Sequence, residues 1–153
     1  MNERRRGLLR SAGALAAVLV AGLLRPALAL AATWNKDAFN AKSAADALKG
    51  IGAPSAEASK GILIEAPQIA ENGAVVPIEI TSNIPGTTSI AVLIEKNPFP
   101  LTAKFNFSEG ALPYVKLNAK MGETSDVRVV ATAGGKHYEA TKEIKVTIGG
   151  CGG

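Results

Sequence analysis

The residue in this 153-residue chain best equipped for covalent chemistry is Cys151, its only cysteine, set in Val146-Thr147-Ile148-Gly149-Gly150-Cys151-Gly152-Gly153. Two glycines on each side strip the segment of every side chain except the thiol. A stretch of this kind has neither packing nor rotamer reason to order. The sequence therefore predicts a mobile arm built on Gly149, Gly150, Gly152 and Gly153, which carries the sulfur on the order of 10 Å past the last strand. Its low bulk suits entry into a narrow cleft. A thiolate forms bonds to sulfur that hold cargo yet reverse by thiol exchange. No Lys, Arg or His lies close to Cys151 in sequence to depress its pKa, so activation falls to a partner's active site or to sulfur chemistry after conjugation.

Other uses of the thiol fail on position or partner. An internal disulfide needs a second cysteine. A prenylated cysteine would stand fourth from the end, and a lipoprotein cysteine would be the first mature residue. A terminal Gly-Gly that forms a thiocarboxylate needs ATP-dependent activation in the cytoplasm, which export opposes. Two readings of different class remain: a covalent carrier, and an interaction protein whose cysteine makes a fixed intermolecular disulfide. A redox enzyme using this thiol directly lacks a resolving cysteine. The rest of the chain offers little chemistry. His137 is the single histidine and reads as a surface residue, with no acidic cluster at metal-ligand spacing. There is no G-x-S-x-G elbow, and no phosphate-cradling or dinucleotide motif. Asn106-Phe107-Ser108 matches a glycosylation sequon by chance, and the scattered acids read as solvated faces. The expectation is a protein without catalytic residues, metal ligands or cofactor.

The net charge of +4 sits in the first 31 residues, which hold Arg4, Arg5, Arg6, Arg10 and Arg25 against Glu3 alone. From Ala32 onward Lys+Arg and Asp+Glu balance, so a nucleic-acid partner has no electrostatic basis. Residues 1–31 have the three-part layout of a signal peptide: a basic start, an apolar run from Ser11 to Leu24, and overlapping A-x-A patterns ending at Ala31. The run is shorter than the ~20 residues needed to span a bilayer, which argues against a permanent membrane anchor. Arg5-Arg6 followed by Gly7, Leu8 and Leu9 resembles a twin-arginine signal, an address for export of folded proteins. An ordinary signal containing three arginines is the alternative. Both place the mature protein outside the cytoplasm of a bacterium, with the twin-arginine reading pointing to the periplasm.

The elements that must position the thiol follow. Hydrophobic content of 47% with 20% charged residues fits one folded domain. Residues 32–60 read as an amino-terminal helix and connector. Ala38, Ala41, Ala45 and Leu48 recur at helical spacing before Gly50, with Trp34, Phe39 and Leu48 as docking contacts. Residues 61–148 change to period two. Strands are expected at 62–66, 75–81, 89–96, 102–107, 114–120, 125–133 and 136–148, separated by Asn-Gly, Pro-Gly and Gly-Gly breakers. About seven short strands at this spacing predict a mainly β fold, an immunoglobulin-like antiparallel β-sandwich with an amino-terminal helix. In the last hairpin Tyr138, Ala140, Ile144, Val146 and Ile148 share the inward parity. The strand holding Ile90, Ala91, Val92, Leu93 and Ile94 is apolar on both faces, so its second face needs a cover, either the helix or another protein. Residues 149–153 form the arm.

Four stretches together resemble the SoxY family, the sulfur-carrier subunits of the bacterial thiosulfate-oxidising Sox system. They are the tail Ile148 to Gly153, Lys96-Asn97-Pro98-Phe99-Pro100-Leu101 leading to Ala103-Lys104-Phe105, Met121-Gly122-Glu123-Thr124-Ser125-Asp126-Val127-Arg128, and the twin-arginine leader. The resemblance spans essentially the whole mature chain, and the GGCGG tail is its most specific motif. It implies a periplasmic, non-catalytic carrier paired with SoxZ as a heterodimer, with Cys151 as the attachment point. It further implies that SoxAX couples thiosulfate to the cysteine as an S-thiosulfonate, SoxB removes sulfate, and SoxCD oxidises the remaining sulfur in complete systems.

Overall fold

The computed structural model describes residues 34–147. The expected signal peptide with Arg5 and Arg6, and the expected arm with Gly149, Gly150, Cys151, Gly152 and Gly153, lie outside the described residues. So does Ile148, the expected end of the last strand.

Nine strands and two helices are present among the described residues. The helices are α1 (Lys36–Asn40) and α2 (Ala44–Gly50). The strands are β1 (Glu57–Ala58), β2 (Ile62–Glu65), β3 (Ile69–Ala70), β4 (Val76–Ser82), β5 (Thr87–Ile94), β6 (Leu101–Asn106), β7 (Tyr114–Ala119), β8 (Ser125–Ala133) and β9 (Lys136–Val146). The larger sheet runs β1-β9-β8-β5-β6, with β3 also paired to β9, and the smaller runs β2-β4-β7. All seven expected strands occur, with ends shifted by a few residues. Two were not foreseen: β1 and β3, each two residues long, pair parallel to β9.

The two sheets enclose the main core. Val76, Ile78 and Ile80 of β4 face Ile90, Val92 and Ile94 of β5 and Val127, Val129 and Ala131 of β8, with Val115, Met121 and Ile144 filling the ends. Alternation along β4 is regular because its other face, with Pro77 and Glu79, points to solvent. In β5, Ser89 to Ile94 are all buried. The open question about its second face is answered by the helices. Ala91, Leu93, Leu101 and Val130 pack with Ala38, Ala47, Leu48 and Ala53 in a separate cluster.

The expected single helix is two short ones. Asn35 caps α1 by accepting the Ala38 N–H, and Ser43 caps α2 by accepting the Asp46 N–H. Two cap residues within one stretch start two helices, because each capping side chain competes with helix continuation. The break leaves Ala45 exposed, contrary to the helical spacing, and buries Ala47 in its place, while Leu48 is buried as expected. Phe39 packs on the cluster as expected, whereas Trp34 is exposed. α2 ends with Gly52 at φ +80°, its N–H on the Lys49 carbonyl and the Ala53 N–H on the Leu48 carbonyl. This paired closure is the Schellman arrangement, and it satisfies the last carbonyls of the helix. A Cβ on Gly50 would come within 2.8 Å of Ala38 Cβ, so the alanine and glycine content serves close helix packing.

Burial on both faces of β5 predicts that Ile90→Ala, facing the small sheet, and Leu93→Ala, facing the helices, each lose about 2–5 kcal/mol. Urea unfolding monitored by circular dichroism checks this. A loss below about 1 kcal/mol for Leu93→Ala would mean that the helices do not cover that face in solution.

Candidate functional site

Cys151 follows β9, so the described part of its site is the point where β9 ends. The Lys145 N–H donates to the Gln68 carbonyl at 3.0 Å and the Thr147 N–H to the Ala70 carbonyl at 3.1 Å, the parallel bonds to β3 and its flank. The Val146 N–H points the other way, where β8 has not yet begun, and the Thr124 hydroxyl oxygen accepts it at 3.0 Å. The chain is thus pinned on both sides up to Thr147, four residues short of Cys151.

Three loops gather round this point. From β3–β4, Gly73 gives its carbonyl to the Met121 N–H at 2.7 Å. A Cβ on Gly73 would strike the Met121 carbonyl and lie 2.8 Å from Val146 Cγ1. From β5–β6, the Lys96 N–H donates to Ser125 Oγ at 3.1 Å and Asn97 Nδ2 to the Lys120 carbonyl at 2.8 Å. The third loop, β7–β8, supplies Lys120, Met121 and Thr124. Lys96 and Glu123 form a 4.0 Å ion pair between exposed side chains, which contributes little to stability. Phe99 is 45% exposed and carries Lys42 Nζ 3.6 Å from its ring centroid, so the loop is tied to the link between the helices.

The fold therefore brings together Lys96 to Pro100 and Met121 to Thr124, stretches that in sequence carried only a family resemblance, at the root of the cysteine segment. Thr124 and Gly73 are positioning residues that sequence reasoning did not single out. Asn72-Gly73 gave a turn signal, but nothing in the sequence showed that Gly73 lies against Met121 and Val146. His137 stands at the opposite end of β9, partly exposed, with Nδ1 3.1 Å from Thr132 Oγ1. Among the described residues no group of three or more His, Cys, Asp or Glu side chains could hold a metal ion. No described helix is long and apolar enough to cross a membrane.

The best-defined exposed polar cluster lies elsewhere, on the outer face of the small sheet. Glu79 accepts from Tyr114 Oη at 2.6 Å and pairs with Lys116 at 2.6 Å. The Lys116 ammonium, followed by the Tyr114 hydroxyl, holds the Glu79 carboxyl below its ordinary range. The same carboxylate pushes the Tyr114 and Lys116 pKa values up.

The described residues form a two-sheet sandwich with a helical cover on one face, and the chain's only cysteine follows the last sheet strand. The comparisons give the chain a family. The family described as "Sulfur oxidation protein SoxY" matches residues 48–151, so the match ends on Cys151. The chain belongs to the SoxY family, whose role is that of a sulfur carrier in sulfur oxidation. A solved structure of the sulfur carrier protein SoxY from Chlorobium limicola f. thiosulfatophilum is 40% identical, covering 67% of this chain and 96% of that one, with a TM-score of 0.60. The superoxide reductase (neelaredoxin) of Ignicoccus hospitalis is 20% identical over 56% of this chain and 79% of that one, with a TM-score of 0.50, a likeness of fold alone. No curated sequence matches the chain.

Two outcomes test this geometry. Gly73→Ala should cost about 1–3 kcal/mol, because Met121 and Val146 must move to admit the methyl group; chemical denaturation measures it. Lys116→Met should let the Glu79 carboxyl titrate nearer its ordinary range, an upward shift visible by carbon-detected NMR. An unmoved Glu79 would mean that the ion pair does not persist in solution.

Proposed function

We propose that this chain is a periplasmic carrier, exported by its twin-arginine leader, that holds the sulfur intermediates of thiosulfate oxidation covalently on Cys151 and presents them to partner enzymes. The observation that carries this reading is that the family match runs through the glycine-flanked segment to the chain's only thiol. Loading joins the Cys151 sulfur to the outer sulfur of thiosulfate. The thiol proton is released and two electrons pass to a c-type cytochrome of the SoxAX kind, leaving a cysteine S-thiosulfonate. Hydrolysis by a SoxB-type enzyme then adds water across the bond between sulfane and sulfone, releasing sulfate and a proton and leaving a persulfide on Cys151. A SoxCD-type dehydrogenase would oxidise that sulfur where the complete set is present.

The carrier catalyses none of these steps and needs no cofactor of its own. SoxZ is its proposed heterodimer partner. The electrically balanced chain after residue 31 gives no basis for a nucleic-acid partner, and no stable membrane association is proposed.

Intact-mass measurement of the protein from thiosulfate-grown cells, with and without reductant, tests the reading. Reductant-labile sulfur adducts should appear and vanish in Cys151→Ser, and thiosulfate oxidation should stop in that variant. A covalent dimer on non-reducing gels with unimpaired oxidation in Cys151→Ser would establish the fixed disulfide instead.

A further inference from the structure

The short tether between Thr147 and Cys151 constrains where a partner can sit. Four extended residues span at most about 14 Å. A cleft that encloses the thiol with its flanking glycines takes up Gly149 to Gly153, so Ile148 alone is left as a spacer of about 3.5 Å. The rim of such a cleft cannot stand clear of the sandwich. It must rest on whatever surrounds Thr147, and that is the ring of three loops.

Those loops are not an ordinary solvated rim. Val75 on β3–β4 is 53% exposed and Phe99 on β5–β6 is 45% exposed. Ile69, also exposed, sits on β3 opposite Lys145, two residues before Thr147. Their backbones are held in place. Gly73 and Met121 bond one loop to the next, Asn97 reaches the Lys120 carbonyl, and the Lys96 N–H is fixed on Ser125. A rigid surface with exposed apolar anchors loses little conformational entropy when it is covered.

Building on the carrier reading above, we propose that the loops at residues 71–75, 96–100 and 120–124 form the docking platform for the enzymes that make and break bonds at Cys151. Val75 and Phe99 are the apolar anchors. The occupant is the enzyme rim around the thiol-accepting cleft. One platform serves successive enzymes because the tether forces each of them onto the same ground.

The test uses the full mature carrier co-purified with its proposed SoxZ partner, a purified SoxAX-type cytochrome and thiosulfate, with loading followed by intact mass. The double variant Val75→Ser/Phe99→Ser should lower the loading efficiency (kcat/KM) at least about tenfold, as expected for loss of interface anchors. Its alkylation of Cys151 by iodoacetamide should stay close to wild type, and its thermal midpoint should fall only modestly, since Val75 is exposed and Phe99 loses one surface cation–π contact with Lys42. Leu112→Ser, an exposed apolar change on the β6–β7 loop at the other end of the sandwich, should load normally. Equal loading by Val75→Ser/Phe99→Ser and wild type would overturn the platform while leaving the carrier reading intact. An equal loss in Leu112→Ser would overturn it too, by showing no preference for this end. A wild-type protein that takes up no adduct at Cys151 would bring down the carrier reading itself, and the platform with it.

Discussion

The structure depends on one constraint: the sheet at its centre is apolar on both faces. Ser89 to Ile94 of β5 are buried without interruption, and Val129 and Val130 on neighbouring β8 face opposite ways and are both inaccessible. A two-layer sandwich covers only one side of such a sheet, so a third layer is obligatory. The chain supplies it from its own amino-terminal part, using small residues. Ala38, Ala47 and Ala53 bring the helical backbone close to Ala91 and Leu93, where larger side chains would hold it off. Polar groups on this face are kept to the margin, where Arg128 bonds to Glu95 at 2.6 Å and Glu139 at 3.3 Å.

The same constraint fixes where β9 can lie and how it ends. With β5 and β8 central, β9 is next to the sheet's border, and its free edge would expose an unpaired row of backbone groups. β1 and β3 line up along that edge, while β2 between them crosses to the small sheet. The gap left by the crossing is bridged by Lys142. It lies on the inward parity, and its ammonium donates to the Ala66 carbonyl at 2.8 Å and the Ile64 carbonyl at 3.4 Å. The stem can lie along apolar surface while the head finds oxygen, so a charge on the inward face is tolerated. With its edge covered, β9 is held in register as far as Thr147. The thiol therefore leaves from a fixed point rather than from a frayed strand.

How legible each part was depends on the range of the interactions behind it. Strand alternation is a local property, and β4, β7 and β8 were readable because each buries one or both faces along its length. The cysteine and its glycines stand out in the sequence because the thiol is alone, and they lie outside the described residues. β1 and β3 were not readable, since a two-residue strand paired to a segment about 80 residues away leaves no periodic trace. The division of the helix turned on Ser43 acting as a cap, where helical spacing of alanines on either side suggested continuity. Gly73 and Thr124 are cases of tertiary meaning in ordinary turn residues. Their roles exist only because Val146 arrives beside them from the other end of the fold.

One candidate site can be separated from the thiol by distance. A cavity of about 620 Å³ is lined by Ser82 to Thr88 and Phe107 to Pro113, the β4–β5 and β6–β7 loops. It lies at the end of the sandwich where β9 begins, because Thr87 of β5 pairs with Ala133 of β8 and Ala133 pairs with Lys136 of β9. Eleven residues of β9 separate that end from Val146, on the order of 30 Å at about 3.3 Å per residue. The tether from Thr147 reaches less than half as far. Within one molecule the Cys151 sulfur cannot reach this cavity, so the cavity and the thiol are separate sites.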